Sequence, residues 1–143
     1  MNKAEKTVDL HMNGGLNCAQ AIIAVYGEPS GLDLKTAKLL GRPFGGGIGA
    51  LGKTCGYLIG AILCLAHSRN NKDEGKARKN TKKAVQEMFR RFEEKHGTSM
   101  CKELLGADMS TVEGAKKIEE ENLVAKRCYG YGRDVAEILS EFL

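Results

Sequence analysis

Helix-start and helix-stop signals recur at short intervals along this chain and favour an all-helical fold. Residues 17–26 begin at an asparagine, carry apolar side chains on one side and end at Gly27, while Asp33 precedes a similar segment that stops at Gly41. Asparagine and aspartate cap helix starts through their side-chain oxygens, and glycine readily ends helices. No segment alternates polar and apolar residues for long enough to predict a strand. The sequence therefore predicts an all-α, single-domain bundle over residues 1–143, with about six to seven helices and a glycine-rich loop.

The same signals predict where the individual helices lie. They are expected at residues 4–12, 17–26, 34–40, 54–67, within 70–96, at 99–106 and at 133–142, with a weaker start at residue 111 that reaches toward 126. Thr54 and Ser99 are expected to cap the segments that they open, and Gly97 is expected to end the long helix. The glycine-rich loop is expected at residues 45–52.

Four of the five cysteines stand in positions that predict one shared site. Cys18, Cys55 and Cys101 each come one or two residues after an Asn, Thr or Ser that is expected to cap a helix. The first turn of a helix carries partial positive charge and unpaired N–H groups, so it is expected to lower the pKa of a thiol there. Cys128 follows a Lys-Arg pair, which predicts an electropositive setting for a fourth sulfur. We therefore predict that these four cysteines form a thiolate site assembled from distant segments.

The remaining cysteine and the histidines are expected to be structural. Cys64 lies nine residues beyond Cys55, about half a turn around the same predicted helix, within an apolar run. It is therefore predicted to fill the core. His11, His67 and His96 all lie near predicted helix ends, where an imidazole interacts favourably with the terminal carbonyl groups.

The glycine-rich loop matches two phosphate-binding patterns, yet its context does not suit either. Residues 47–54 fit G-x-x-x-x-G-K-T, but the preceding segment is predicted to be a helix end and a turn, where a phosphate loop requires a strand. No nucleotide cofactor is therefore expected. Glycine also lets backbone N–H groups approach sulfur and tune its redox potential, and a loop that only packs is the alternative. The glycines predicted to contact a cofactor in this way are Gly45, Gly46, Gly47, Gly49 and Gly56.

Composition and hydropathy predict a cytoplasmic protein without a membrane segment. A chain of 143 residues can bury a core without disulfides, and its five cysteines are an odd number. The N-terminal residues are polar and lack a leader pattern. The longest apolar run, residues 57–66, has 10 residues, about half of what a bilayer requires. No membrane partner is expected.

Positive charge is concentrated in residues 69–95, which hold ten Lys or Arg against five Asp or Glu in a chain of net charge +4. Val85, Met88, Phe89 and Phe92 recur there at helical spacing, so the charges are predicted to form the solvated side of an amphipathic helix. No aromatic residue is interleaved on the basic side, and no nucleic-acid-binding motif is present. A nucleic-acid partner is therefore not expected.

Several segments around the cysteines form a recognisable pattern: NCAQA at 17–21, FGGGIG at 44–49, CGYLIG at 55–60, and single cysteines before LLG and before the last helix. This pattern resembles a family of small bacterial and archaeal proteins, described as redox-active and named after its cysteines, C-GCAxxG-C-C. The resemblance covers nearly the whole chain, although Tyr57 stands where the family's Cys-Gly-Ala-x-x-Gly motif has alanine. It implies a helical four-cysteine redox protein with a functional link to a transporter, since relatives often lie near transporter genes. Similar segments resemble the cluster-bearing part of multidomain cytochromes.

Three kinds of site are compatible with these four cysteines. The leading hypothesis is an iron–sulfur cluster held by Cys18, Cys55, Cys101 and Cys128, which exchanges electrons with a redox partner protein. The second is a metal-free thiol–disulfide oxidoreductase that acts on a small thiol or disulfide, with Cys55 as the attacking thiolate and Cys18 or Cys101 resolving it. A structural zinc site is the least favoured. Whether the protein is an enzyme, and whether it forms a homo-oligomer, is left open.

Overall fold

The computed structural model describes residues 1–69 and 72–143, and these residues form helices and turns without any strand. The α-helices are α1 Lys3–Met12, α2 Cys18–Tyr26, α3 Leu34–Gly41, α4 Gly56–Ser68, α5 Glu74–His96, α6 Cys101–Leu105, α7 Val112–Glu120 and α8 Tyr129–Ser140. Short 3-10 turns lie at Glu28–Ser30 and Arg42–Phe44, and a π-helical turn lies at Val124–Cys128. The all-α prediction is confirmed, with eight α-helices in the described residues where six to seven were expected.

Side-chain caps start several of these helices as the sequence predicts. Asn17 and Gln20 form a capping box at the start of α2, in which each side chain accepts a hydrogen bond from the other residue's backbone N–H, at 2.8 and 2.9 Å. Thr111 accepts a hydrogen bond of 2.9 Å from the Gly114 N–H at the start of α7. These bonds satisfy N–H groups that have no partner within the helix itself.

The predicted caps at Thr54 and Ser99 are wrong. Thr54 pairs with Met100 in an isolated antiparallel bridge, which places both segments in an extended conformation before their helices begin. The Ser99 hydroxyl donates a hydrogen bond to the Glu93 carboxylate at 2.9 Å. Cys55 and Met100 therefore occupy the N-cap positions of α4 and α6, without a capping hydrogen bond from either side chain.

Helix α5 confirms the amphipathic prediction. It begins at Glu74, within the predicted segment 70–96, of which positions 70 and 71 lie outside the described residues. Met88 and Phe92 are fully buried, and Val85 and Phe89 pack against the same core. Most of its charged side chains are exposed.

Helix α4 passes through the centre of the core. Its Cys64 is fully buried, and the thiol donates a hydrogen bond to the Ile22 carbonyl at 3.8 Å, which confirms its predicted structural role. In the part of the chain that the structure describes, no helix is both long and apolar enough to cross a membrane.

Two apolar clusters position the site described below. The larger cluster joins α2, α4, α5 and α8, and its largest fully buried side chains include Tyr57, Phe92, Ile22, Ile23, Leu58 and Leu139. The smaller cluster consists of Cys101, Leu105, Ile118 and Leu123. Cys128 packs against both clusters, so it lies at their junction.

Candidate functional site

A cavity of about 90 Å³ lies where the two apolar clusters meet, and Cys18, Cys55, Cys101 and Cys128 all line it. Backbone atoms of Gly46, Gly47 and Gly56 form part of its wall. The rest of the wall is mainly apolar and aromatic, and includes His11, Tyr57, Leu104, Met109, Val124 and Tyr131. All five cysteines of the chain are free thiols. The fold thus brings together four sulfurs that lie up to 110 residues apart in the sequence.

Cys18 is the first residue of α2, and backbone N–H groups surround its sulfur. The N–H groups of Ala19, Gly46 and Gly56 are directed at this sulfur and favour its thiolate form. A β-carbon at residue 56 would collide with the sulfur, so glycine is needed for α4 to begin this close to Cys18. Burial outweighs these N–H groups and raises the pKa of Cys18 above its ordinary value.

Backbone pairing holds Cys55 and Cys101 near each other. Residues 53–55 lie antiparallel to residues 99–101 around the isolated bridge. The N–H of each cysteine donates to a carbonyl of the opposite segment, at 2.9 Å for Cys55 and 2.5 Å for Cys101. Because these are main-chain bonds, the relative position of the two cysteines does not depend on any side-chain contact.

Cys128 ends the π-helical turn Val124–Cys128, directly before α8. Turns of this kind occur often at functional sites, since the extra residue per turn redirects a side chain. The two basic residues before it, Lys126 and Arg127, are exposed. Burial, followed by repulsion from ionised Cys18 and Cys101, raises the pKa of Cys128 to about 12. Neither Lys126 nor Arg127 is among these causes, so the basic pair does not give this sulfur the low pKa that was expected.

The expectation of low-pKa thiols fails at the other sites as well. Burial raises the pKa of Cys101 to about 11, and it raises the pKa of Cys55 further. Repulsion from the Cys18 sulfur, when that sulfur is ionised, adds to the pKa rise at Cys55, Cys101 and Cys128. Desolvation of four neighbouring sulfurs outweighs the partial charge of the helix ends. In the metal-free protein at neutral pH, all four groups are protonated thiols.

The five glycines predicted to contact a cofactor separate into two groups. Gly46, Gly47 and Gly56 line the cavity. Gly45 packs against the Asn17 side chain, where a β-carbon would lie 2.9 Å from the amide nitrogen. Gly49 has a φ of +58° and nothing within 4 Å of its β-carbon position, so it serves the turn and does not line the cavity.

His11 and Tyr57 are members of the site that the sequence analysis missed. His11 was expected to be a helix cap, yet its Nδ1 lies 2.5 Å from the Tyr57 hydroxyl oxygen and both side chains line the cavity. Burial lowers the pKa of His11 to about 4, so its ring is neutral at pH 7. The two residues are 46 positions apart, and no spacing rule connects them.

The other two histidines lie away from the cavity. His67 Nδ1 lies 2.8 Å from the Ser30 hydroxyl, and His96 Nε2 lies 2.7 Å from the Asp134 carboxylate. Both lie in the last turns of their helices, as the sequence predicts, but each is engaged by a side chain from another segment.

The donor set suits a sulfur-ligated group. Four cysteine thiolates are the usual complement for a two-iron or four-iron cluster. Because Gly56 has no β-carbon, the Cys18 sulfur can approach main-chain N–H groups directly. Within residues 1–69 and 72–143, no three Cys, His, Asp or Glu side chains converge, as they stand, on a single metal-ion position. The four thiols match such a group in their ligand chemistry, and they line one cavity.

The fold and these four thiols define a class of small all-α proteins with a four-cysteine site. The chain belongs to the family described as "Putative redox-active protein (C_GCAxxG_C_C)", whose family model matches residues 16–142. The matched residues include all four cysteines of the cavity but do not include His11. Comparison with curated proteins and with solved structures found no significant match.

Proposed function

We propose that this protein transfers electrons through an iron–sulfur cluster held by Cys18, Cys55, Cys101 and Cys128. The observation that carries the proposal is that four thiols line one cavity whose wall is largely apolar. Membership of a redox-active family supports the same conclusion. When bound, the cluster supplies one-electron exchange with a redox partner protein.

The residues of this chain have separable roles in such a site. The N–H groups of Ala19, Gly46 and Gly56 stabilise negative charge on the Cys18 sulfur. The apolar side chains of Leu104 and Val124 keep water away from the sulfurs. Because the thiols have raised pKa values in the metal-free protein, they release protons when they become ligands.

The raised thiol pKa values weigh against metal-free thiol exchange. The thiolate is the attacking species in that chemistry, and thiols whose pKa values are about 11 or 12 supply little of it at neutral pH. The pKa of Cys55, the cysteine expected to attack, is raised even further. Electron transfer through ligated thiolates requires no free thiolate, so we favour it.

Metal analysis of protein purified without oxygen tests the proposal. We expect broad visible absorbance and matched amounts of iron and acid-labile sulfide per chain. Cys55→Ser should lose both, whereas Cys64→Ser, which changes a buried thiol outside the cavity, should keep them. Colourless protein without metal but with reactive thiols would support thiol exchange instead, and zinc alone would support a structural site.

A further inference from the structure

The Tyr57 ring is held between three helices at the edge of the four-cysteine cavity. Tyr57 belongs to α4 and is 1% exposed. On the α8 side, a β-carbon at residue 132 would lie 2.5 Å from the ring atom that carries the hydroxyl, so Gly132 leaves room for that end of the ring. On the α1 side, the hydroxyl forms a hydrogen bond with the His11 ring. The position of the hydroxyl is therefore determined by contacts with both neighbouring helices.

Two aromatic rings contact the partly buried His11 ring. It packs edge-on against the rings of Tyr57 and Tyr129, with centroid distances of 5.4 and 5.2 Å. Its Nδ1 lies 2.5 Å from the Tyr57 oxygen, and the burial that lowers the pKa of His11 keeps the ring neutral. A neutral imidazole carries one N–H and a tyrosine one O–H, so the pair has two hydrogens available for hydrogen bonding.

The bond between His11 and Tyr57 uses one of these two hydrogens. If His11 donates from Nδ1, the Tyr57 O–H is left to donate elsewhere; if Nδ1 accepts, the His11 Nε2–H is left. Both side chains line the cavity. Cys18, Cys55 and Cys128 line the same cavity, so their sulfurs share its wall with the pair. A thiolate or sulfide is a much better acceptor than a neutral thiol.

We propose that Tyr57 and His11 act as a positioning pair that donates one hydrogen bond to the sulfur of the group bound between the four cysteines. This inference rests on the proposed function and deepens it. It makes α1 part of the redox site, although His11 lies outside the residues that the family model matches. A hydrogen bond to sulfur stabilises the reduced, more negative state, so the pair raises the reduction potential.

The test is a redox titration of the iron–sulfur-loaded protein, followed by its visible absorbance, for the wild type and for the variants Tyr57→Phe and His11→Phe. Each variant should shift the midpoint potential to a more negative value. The double variant should shift it no further than the more negative single variant, because the two residues act as one unit. Tyr26→Phe is the control, since Tyr26 is a buried tyrosine that does not line the cavity, and it should leave the potential unchanged.

The results separate this inference from the proposed function. Equal potentials for loaded wild type and loaded Tyr57→Phe would overturn the inference and leave the proposed function standing, even if the variant unfolded at a lower temperature. Failure of the wild type to bind iron and sulfide would overturn the proposed function itself. Tyr57→Phe keeps the ring that fills the space beside Gly132, so this variant should fold. It therefore tests the inference even if His11→Phe fails to fold.

Discussion

The backbone at Gly56 lies so close to the Cys18 sulfur that a β-carbon at position 56 would collide with it unless the neighbouring atoms shifted. This contact joins the start of α4 to the start of α2 and directs a main-chain N–H at the sulfur. Glycine at this position is therefore a requirement of the site itself, independent of any demand on φ, since residue 56 does not have a positive φ.

Gly56→Ala should destabilise the protein, whereas the same substitution at a glycine with open space around it should not. The added methyl group collides with the Cys18 sulfur and with the Phe44 carbonyl, so we expect a loss of roughly 1–3 kcal/mol in the free energy of unfolding. Urea denaturation of the metal-free protein measures this loss. Gly130→Ala is the matched control, because its β-carbon position in α8 is open and alanine favours a helix. Equal stability of Gly56→Ala and wild type would contradict the geometry.

Asn17→Ala should lower the free energy of unfolding by more than the loss of a capping hydrogen bond alone would. Asn17 caps α2 and also donates to the carbonyls of Gly41 and Arg42 at 3.2 and 3.3 Å, next to the turns that lead to the cavity. We expect a loss of about 2 kcal/mol, the upper end for a cap, compared with about 1 kcal/mol for Thr111→Ala. The comparison uses chemical unfolding of both variants under the same conditions. A smaller effect for Asn17→Ala than for Thr111→Ala would show that the additional bonds contribute nothing.

Acidification should destabilise the metal-free protein through His11. The pKa of His11 is lowered to about 4 in the folded protein from an ordinary value of 6.5. As the pH falls below 6.5, the unfolded chain binds a proton that the folded protein does not, so stability is lost between about pH 6.5 and 4. The free energy of unfolding, measured across this window, should fall less steeply for His11→Phe. Parallel curves for the two proteins would rule out this role.

Alkaline conditions should also destabilise the metal-free protein, in this case through the Cys101 thiol. The pKa of Cys101 is raised to about 11 from an ordinary value of 9.0, so between these values the unfolded chain loses a proton that the folded protein keeps. The stability that this thiol contributes is complete below pH 9 and is lost as the pH rises to about 11. Cys101→Ser should show a shallower decline in the free energy of unfolding of the reduced, metal-free protein. An unchanged slope would mean that the thiol titrates near its ordinary value.

Much of the helical framework could be predicted from local sequence, because its causes are local. The cap at Asn17 and the end of α2 near Gly27 depend on residues within one turn of each other. The predicted cap at Thr54 failed because a pairing with Met100, 46 residues away, imposes an extended conformation that local preference does not reveal. The start of the last helix was predicted at residue 133, while the structure continues through a π-helical turn directly into α8 at Tyr129.

The sequence by itself determined the all-helical class, the family and the four cysteines on which the proposed site depends. Only the tertiary structure decided the protonation of those thiols, because burial is a property of packed neighbours that are distant in the chain and it outweighs the helix-end charge. The tertiary structure also decided that His11 meets Tyr57 at the cavity. That contact arises where α1 packs beside α8 and brings an imidazole next to a buried tyrosine, and no local preference of either residue predicts it.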